Sequence, residues 1–165
     1  MDGAGVLKNV TASLEGRIAT AEREIRRLKQ DMRDMPTRMQ SRYDTSREET
    51  SVIVDALVRK VIEFREALRE LGSLNPPPGK SVGIGSLVRM MVGGQRLYVF
   101  LVPSIGGERL IVDDETVVTV TQAAPLGAIL MNREEGEAFS AEINGQERAI
   151  VVDRVLQCRA GSLTD

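Results

Sequence analysis

The sequence predicts an α+β protein, a helical hairpin followed by a small antiparallel sheet with one short helix. Three observations predict it. Two heptad seams of apolar residues occupy the first 71 residues. A Pro-rich break at residues 72–80 ends that periodicity. After the break, short β-type runs alternate with turn signals.

The first seam is Leu14, Ile18, Ala21, Ile25, Leu28, Met32, Met35 and Met39, stepping by 4, 3, 4, 3, 4, 3, 4, with Leu7 one heptad before Leu14. The second is Val54, Leu57, Val61, Phe64, Leu68 and Leu71, stepping by 3, 4, 3, 4, 3. Between them, Gln40 to Glu49 is polar and without apolar periodicity. Two seams joined by a short polar break predict an antiparallel pair of helices, each covering the other's stripe. An arm of this kind, about 30 residues at about 1.5 Å per residue, is on the order of 45 Å long and presents a polar tip. Pro36 interrupts the first seam, because a proline inside a helix costs about 3 kcal/mol. Either helix 1 kinks there, or it stops near Asp34 and restarts with Pro36 in its first turn.

Gly72 suits the end of the second helix, and Pro76, Pro77 and Pro78 form a stiff connector that cannot continue it. The expected organisation is a hairpin over 1–74 with its tip at about 40–49, a linker over 75–82 and a sheet domain over 83–158. In that domain Ser86 to Val92 leads to a Gly93-Gly94 turn, and Arg96 to Val102 ends at Pro103. Gly106-Gly107 precedes Arg109 to Val112, and Glu115 to Thr121 is rich in β-branched residues. Pro125 opens a short helix with Leu126, Ile129 and Leu130 on one face, and core packing is the expected use of those three. Ala138 to Ile143 and Glu147 to Leu156 flank Asn144-Gly145, a strong hairpin signal.

Composition narrows the chemistry. The chain has 165 residues, of which 42% are apolar and only 3% aromatic, so its cores are aliphatic. It has no His, hence neither the usual near-neutral acid/base nor the commonest metal ligand. A net charge of -2 gives no global footprint for nucleic acid. Residues 17–33 do carry six basic groups (Arg17, Arg23, Arg26, Arg27, Lys29 and Arg33) against Glu22, Glu24 and Asp31. A solvated, ion-paired helix face is the plain reading of that cluster, and a flank that meets nucleic acid or an acidic partner is the functional one. Cys158 is the single cysteine and is read as structural. With no leader and no long apolar run, a soluble, cytoplasmic protein without a membrane partner is expected.

A helical hairpin followed by a small α+β domain resembles the bacterial Gre family of transcription elongation and transcript cleavage factors (GreA/GreB-like). In that family a strand leads into a Ser-Pro-hydrophobic-Ala/Gly helix, then Ala-Leu-hydrophobic-Gly-Lys, then an acidic-Gly-Asp turn. Here Pro125, Leu126, Gly127, Leu130 and Gly136 match. Asn132 stands for the family's Gly, Arg133 for its Lys, Glu137 for its Asp and Ala124 for its Ser. Ile84-Gly85-Ser86-Leu87-Val88 is similar to the family's entry into this domain.

The resemblance implies an FKBP-like C-terminal domain that binds bacterial RNA polymerase, and a coiled coil inserted through the secondary channel. It also implies two acidic tip residues that help hold an Mg²⁺ shared with the polymerase and stimulate cleavage of backtracked RNA. The polymerase is then the enzyme. This chain would have no catalysis or cofactor of its own, would meet the RNA 3′ end indirectly and DNA only weakly, and would act as a monomer.

The family's tip reads Gly-Asp-Leu-x-Glu-Asn. Asp44 fits the Asp, Tyr43 replaces the Gly, and Arg47 stands where the metal-binding Glu is expected. Glu48, four residues after Asp44, shares its face if the segment is helical, and Glu49 is the next candidate. Asp44 and Glu48 are therefore the expected ligands of the shared Mg²⁺, with Glu49 a third tip carboxylate; Mg²⁺ takes hard oxygen donors and only one or two protein carboxylates. The structural alternative is that Asp44 caps the second helix while Glu48 and Glu49 occupy its first turn. Three other functions compete: a secondary-channel regulator that does not cleave, a coiled-coil adaptor, and a prolyl isomerase. The last has few aromatics to line a pocket, only Tyr98, Phe100 and Phe139.

Overall fold

A computed structural model of the chain describes the backbone of residues 1–34 and 40–163 and the side chains of residues 1–34 and 46–161. Helix α1 spans Gly3–Asp34 and helix α2 spans Gln40–Gly72. Strands follow as β1 (Ser86–Val92), β2 (Gln95–Val102), β3 (Arg109–Val112) and β4 (Glu115–Thr121). Helix α3 (Pro125–Leu130), β5 (Ala138–Ile143), β6 (Gln146–Gln157) and a 3₁₀ turn (Ala160–Leu163) complete the chain. The expected α+β class with a helix pair and one short helix is what the structure has. Two compact units divide it, residues 12–68 and residues 1–11 with 69–165.

In the first unit the two helices run antiparallel. The Arg17 guanidinium lies 4.3 Å from the Phe64 ring centroid, Arg65 bonds Glu22 at 2.6 Å, and Arg47 bonds the Met32 carbonyl at 3.3 Å. Partners on α2 thus fall from 64 to 47 as α1 runs from 17 to 32. Leu14 and Ala21 of the first seam are buried, as are Val54, Val61 and Phe64 of the second. Ile18, Ile25, Leu28 and Met32 keep the heptad spacing but are only half-buried. A two-helix pair has one wall for each stripe, so long aliphatic side chains remain partly wet. Each Leu, Val or Phe side chain that does bury fully contributes about 1.5–3 kcal/mol.

Helix α1 is described as far as Asp34, and its expected seam residues Met35 and Met39, with Pro36, lie outside the described residues. The polar stretch 40–49, expected as a break, is itself helical and forms the first turns of α2. It contains no Gly or Pro, and Gln, Arg and Glu are good helix formers.

In the second unit the sheet order is β3-β4-β2-β1-β6-β5. Neighbours are antiparallel except β2 and β4, which pair in parallel from Tyr98↔Val117 to Val102↔Thr121. This departs from the wholly antiparallel sheet expected from the sequence. In β4, Val117 and Thr119 are fully buried, whereas β3 buries only Val112. The longer strand of that hairpin, β4, takes the inner position against β2, and the four-residue β3 becomes the edge. Asp113 and Asp114 close the hairpin with φ of 50° and 62°. Asn144 and Gly145 do the same between β5 and β6 with φ of 53° and 75°, as their sequence predicts.

One face of the sheet, through Val88, Met90, Val99, Leu101, Val120, Ile150 and Val152, packs with Leu130 of α3 and with Val82. Leu126 and Ile129 are half-buried against the same cluster, so all three α3 residues serve the core. Leu87, Phe100 and Thr119, of opposite parity, are also buried. On that side Met1 lines a small pocket with Leu87, Arg89, Tyr98, Arg154 and Leu156, and its amine lies 3.3 Å from Asp113.

The linker end is stitched to the loop after α3. Val82 N–H donates to the Arg133 carbonyl at 2.8 Å, Asn132 N–H to Val82 at 2.9 Å, and Glu135 N–H to Lys80 at 2.9 Å. Asn132 adopts φ of 64°, the left-handed conformation for which Asn is well suited.

Gly127 is the tightest point of this unit. A Cβ there would lie 1.9 Å from the Thr121 carbonyl oxygen and 3.2 Å from the Gln122 Cα. Both are backbone atoms at the end of β4, so relief would require moving α3 off the core. Gly127→Ala is expected to lower stability by about 3 kcal/mol or more, read as a shift of the urea midpoint. Cys158 is 2% exposed and packs against Gly3, and burial pushes its thiol up to about 12. It should therefore resist a thiol reagent at pH 8 in the native protein and react once the protein is unfolded in urea.

Candidate functional site: the end of the helix pair

The candidate carboxylates lie near the start of α2. Because Gln40–Glu49 is helical, the condition for Asp44 and Glu48 to share a face is met by the backbone. At about 100° per residue, Glu49 points about 100° further round than Glu48. Glu48 and Glu49 are both exposed. The side chain of Asp44 lies outside the described residues. The capping alternative for Asp44, Glu48 and Glu49 does not hold. Helix α2 begins at Gln40, so position 44 is four residues inside it, and the first turn holds no acidic residue.

Arg47 has a different task from the acidic residue expected at its position. Its guanidinium donates to the Met32 carbonyl at 3.3 Å. Met32 lies in the last turn of α1, where carbonyls lack partners within the helix. A cation there also suits the negative end of the helix dipole. Arg47 thus ties the start of α2 to the end of α1. With Lys29, Met32 and Arg33 it lines a groove between the helices. This cationic groove was not picked out from the sequence. Lys29 and Arg33 show the i, i+4 spacing of one face, but Arg47 joins them only through antiparallel pairing.

Further along, the basic cluster of α1 is partly compensated. Arg27 bonds Glu24 at 2.6 Å and lies 3.6 Å from Asp31, and Arg65 of α2 engages Glu22. The hydrogen bond from Arg27 holds the Glu24 carboxyl below its ordinary value. These contacts support the ion-paired reading for that stretch.

Among the described residues, no group of three or more His, Cys, Asp or Glu side chains could hold a metal. Glu48 and Glu49, the described carboxylates of this end, could supply only part of a coordination shell. Exposed carboxylate oxygens are the right donor class for Mg²⁺, which accepts one or two from protein and keeps waters.

The residues that resemble the family's Lys and Asp are paired in the second unit. Arg133 forms an ion pair with Glu137, donates to the Ile129 carbonyl at 3.2 Å and stacks 4.1 Å from the Phe139 ring centroid. Glu137 also accepts the Glu134 N–H at 3.1 Å. Glu135 accepts from Lys80 and from the Val155 N–H. Arg133 contacts, Lys80 contacts and backbone N–H donation hold both carboxyls below the usual range.

No protein-family model matches the chain, and no curated protein sequence matches it. Among solved structures, the transcription factor Gfh1 is 17% identical over 94% of this chain and 95% of its own, with a TM-score of 0.37. The GreA factor homolog 1 (Gfh1) protein of Thermus thermophilus is 18% identical over 88% and 93%, with a TM-score of 0.36. A GreA/GreB elongation factor of Nitrosomonas europaea is 17% identical over 66% of this chain and 92% of its own, with a TM-score of 0.36.

The carboxyl pairs make stability depend on acid in a defined direction. Glu135 and Glu137 have native values below their unfolded ones, so their contribution is fully present above the unfolded carboxylate range, about pH 4.3. It is lost as pH falls through the lower native values. Glu137→Gln should lower the urea midpoint at pH 7, and the difference from wild type should shrink as the pH is brought down to about 3.

Proposed function

We propose that this chain is a Gre-type transcription elongation factor. In this reading it binds bacterial RNA polymerase through the sheet domain, and the helix pair enters the secondary channel. The carboxylates of Asp44, Glu48 and Glu49 then stimulate cleavage of backtracked RNA. The observation that carries it is the pairing of a long antiparallel helix hairpin with exposed carboxylates in the first turns of α2. The Pro125–Glu137 resemblance in the second unit supports the same reading. A narrow two-helix rod is a suitable shape for a channel, and polar side chains at its end suit a wet, phosphate-rich destination.

Asp44 and Glu48 are the proposed ligands of an Mg²⁺ shared with the polymerase, which would activate a water and stabilise the leaving oxygen. Glu49 would orient that water or enlarge the acidic end. Arg47 fits this reading because its guanidinium bonds the end of α1, a structural use that accounts for a cation beside the carboxylates. The chain itself would carry no catalytic activity, act in the cytoplasm and meet the RNA 3′ end only inside the complex.

A second reading is a regulator that occupies the channel without cleavage. The groove of Lys29, Arg33 and Arg47 favours it, since cations near the tip oppose recruitment of Mg²⁺ and suit nucleic-acid phosphates.

The test is RNA cleavage by a stalled, backtracked complex of the cognate polymerase with Mg²⁺. Wild-type protein should accelerate cleavage, and Asp44→Ala or Glu48→Ala should lower that stimulation by at least about 10²-fold, within the range seen for catalytic groups of this kind. Binding without stimulation would establish the second reading, and no binding would overturn both.

A further inference from the structure

Helix α2 carries a second heptad series besides the one that faces α1. Glu48, Ser51, Asp55, Val58, Ile62, Arg65 and Arg69 step by 3, 4, 3, 4, 3, 4. Asp55, Val58, Ile62, Arg65 and Arg69 each follow a residue of the α1-facing seam by one position, so this stripe lies about 100° round the helix from that seam. It is open to solvent: Val58 is 36% exposed and Ile62 is 56% exposed. Val52 and Ile53 of the same helix are also open, at 65% and 51% exposed, but they lie outside this heptad series; Val58 and Ile62 are the exposed aliphatic pair that has acid on one side and base on the other along one stripe.

The order of chemistry along the stripe is distinctive. Acid comes first (Glu48, Asp55), apolar residues are central (Val58, Ile62) and bases come last (Arg65, Arg69). Such a stripe is complementary to itself when reversed. Positions 55 and 65, 58 and 62, and 51 and 69 are each centred on residue 60.

We propose that this stripe is a self-recognition surface, through which two copies of the chain pair antiparallel about a two-fold axis near residue 60. Ile62 of each copy packs on Val58 of the other, and Asp55 of each faces Arg65 of the other. A parallel arrangement would oppose Asp55 to Asp55 and Arg65 to Arg65, so charge selects the antiparallel one. Arg65 already bonds Glu22 at 2.6 Å, yet its side chain stays 64% exposed, and a guanidinium has five donors to share. An isologous contact of this kind closes at two subunits and does not propagate. Two apolar residues per copy are few beside the roughly 1,600 Å² of a standard stable interface. The association is therefore weak, with dimer appearing on the order of 100 µM and monomer prevailing in dilute solution. The pairing does not depend on the proposed function.

Sedimentation velocity of the full chain at low salt, from about 5 to about 500 µM, tests it, and the expected result is a rising weight-average sedimentation coefficient. Asp55→Arg and Arg65→Asp, each alone, should weaken association at least about 10-fold, because each reversal sets like charges opposite each other twice. An equimolar mixture of these two variants should regain it, since their mixed dimer restores opposite charges at both contacts. Circular dichroism verifies that each variant keeps its helix content, and Ile62→Glu should abolish the dimer without that control changing. A sedimentation coefficient that stays flat over the range would overturn the proposal. So would folded charge variants that associate as strongly as wild type, or a mixture that fails to recover.

Discussion

The mutual burial of two aliphatic stripes is the constraint on which the first unit depends. Neither α1 nor α2 has another element in that unit to cover its seam, and a helix in water that leaves such a stripe wet loses most of its stability. Pairing buries Leu14 and Ala21 against Val54, Val61 and Phe64, and it fixes the antiparallel register. That register decides which side chains meet across the pair. Arg17 covers Phe64, Arg65 reaches Glu22, and Arg47 reaches the end of α1. The charged contacts are exposed and individually weak. They refine an alignment that the apolar seam sets.

The sheet unit depends on a different constraint, the close approach of α3 to the end of β4. Only a residue without a side chain fits at Gly127, because the Thr121 carbonyl occupies the space a Cβ would need. That approach lets Leu130 reach the cluster formed by Val88, Met90, Val99 and Ile150. The chain then leaves α3 through a left-handed Asn132 and meets the linker, so residues 80–82 and 132–135 hold each other by backbone hydrogen bonds. Arg133, Glu137 and Phe139 sit directly after this junction, and their ion pair and ring contact secure the turn into β5.

Charge is distributed along α2 in a way that separates tasks. Glu48 and Glu49 face solvent near the start, while Arg47 between them and α1 is engaged with the Met32 carbonyl. Acidic and basic side chains are thus neighbours in sequence but not in direction. This is the general advantage of a helix for a small polar site: a rotation of about 100° per residue lets adjacent residues serve different partners.

Much of the architecture was legible in the sequence. The seams, the Pro-rich boundary, the β-type runs at Ser86–Val92, Arg109–Val112, Glu115–Thr121 and Ala138–Ile143, and the Asn144-Gly145 turn follow from periodicity and local backbone preference, which are properties of short segments. The helical start of α2 at Gln40 was not legible, because a polar helix has no apolar period to reveal it. Nor was the Asp113-Asp114 turn, since its left-handed residues are not glycines. Asp44, Glu48 and Glu49 come forward as candidates through the resemblance to the Gre tip, and spacing adds only that Asp44 and Glu48 share a face of a helix. By itself, then, the sequence determined the class of the periodic segments and the positions of the main turns, because those depend on near neighbours. Only the tertiary structure decided that β4 lies inside β3 and parallel to β2, that Gly127 meets Thr121, and that Arg47 belongs to the end of α1. Each of these is a choice among partners distant in the chain, set by which arrangement buries the most apolar surface and leaves the fewest carbonyls without a donor.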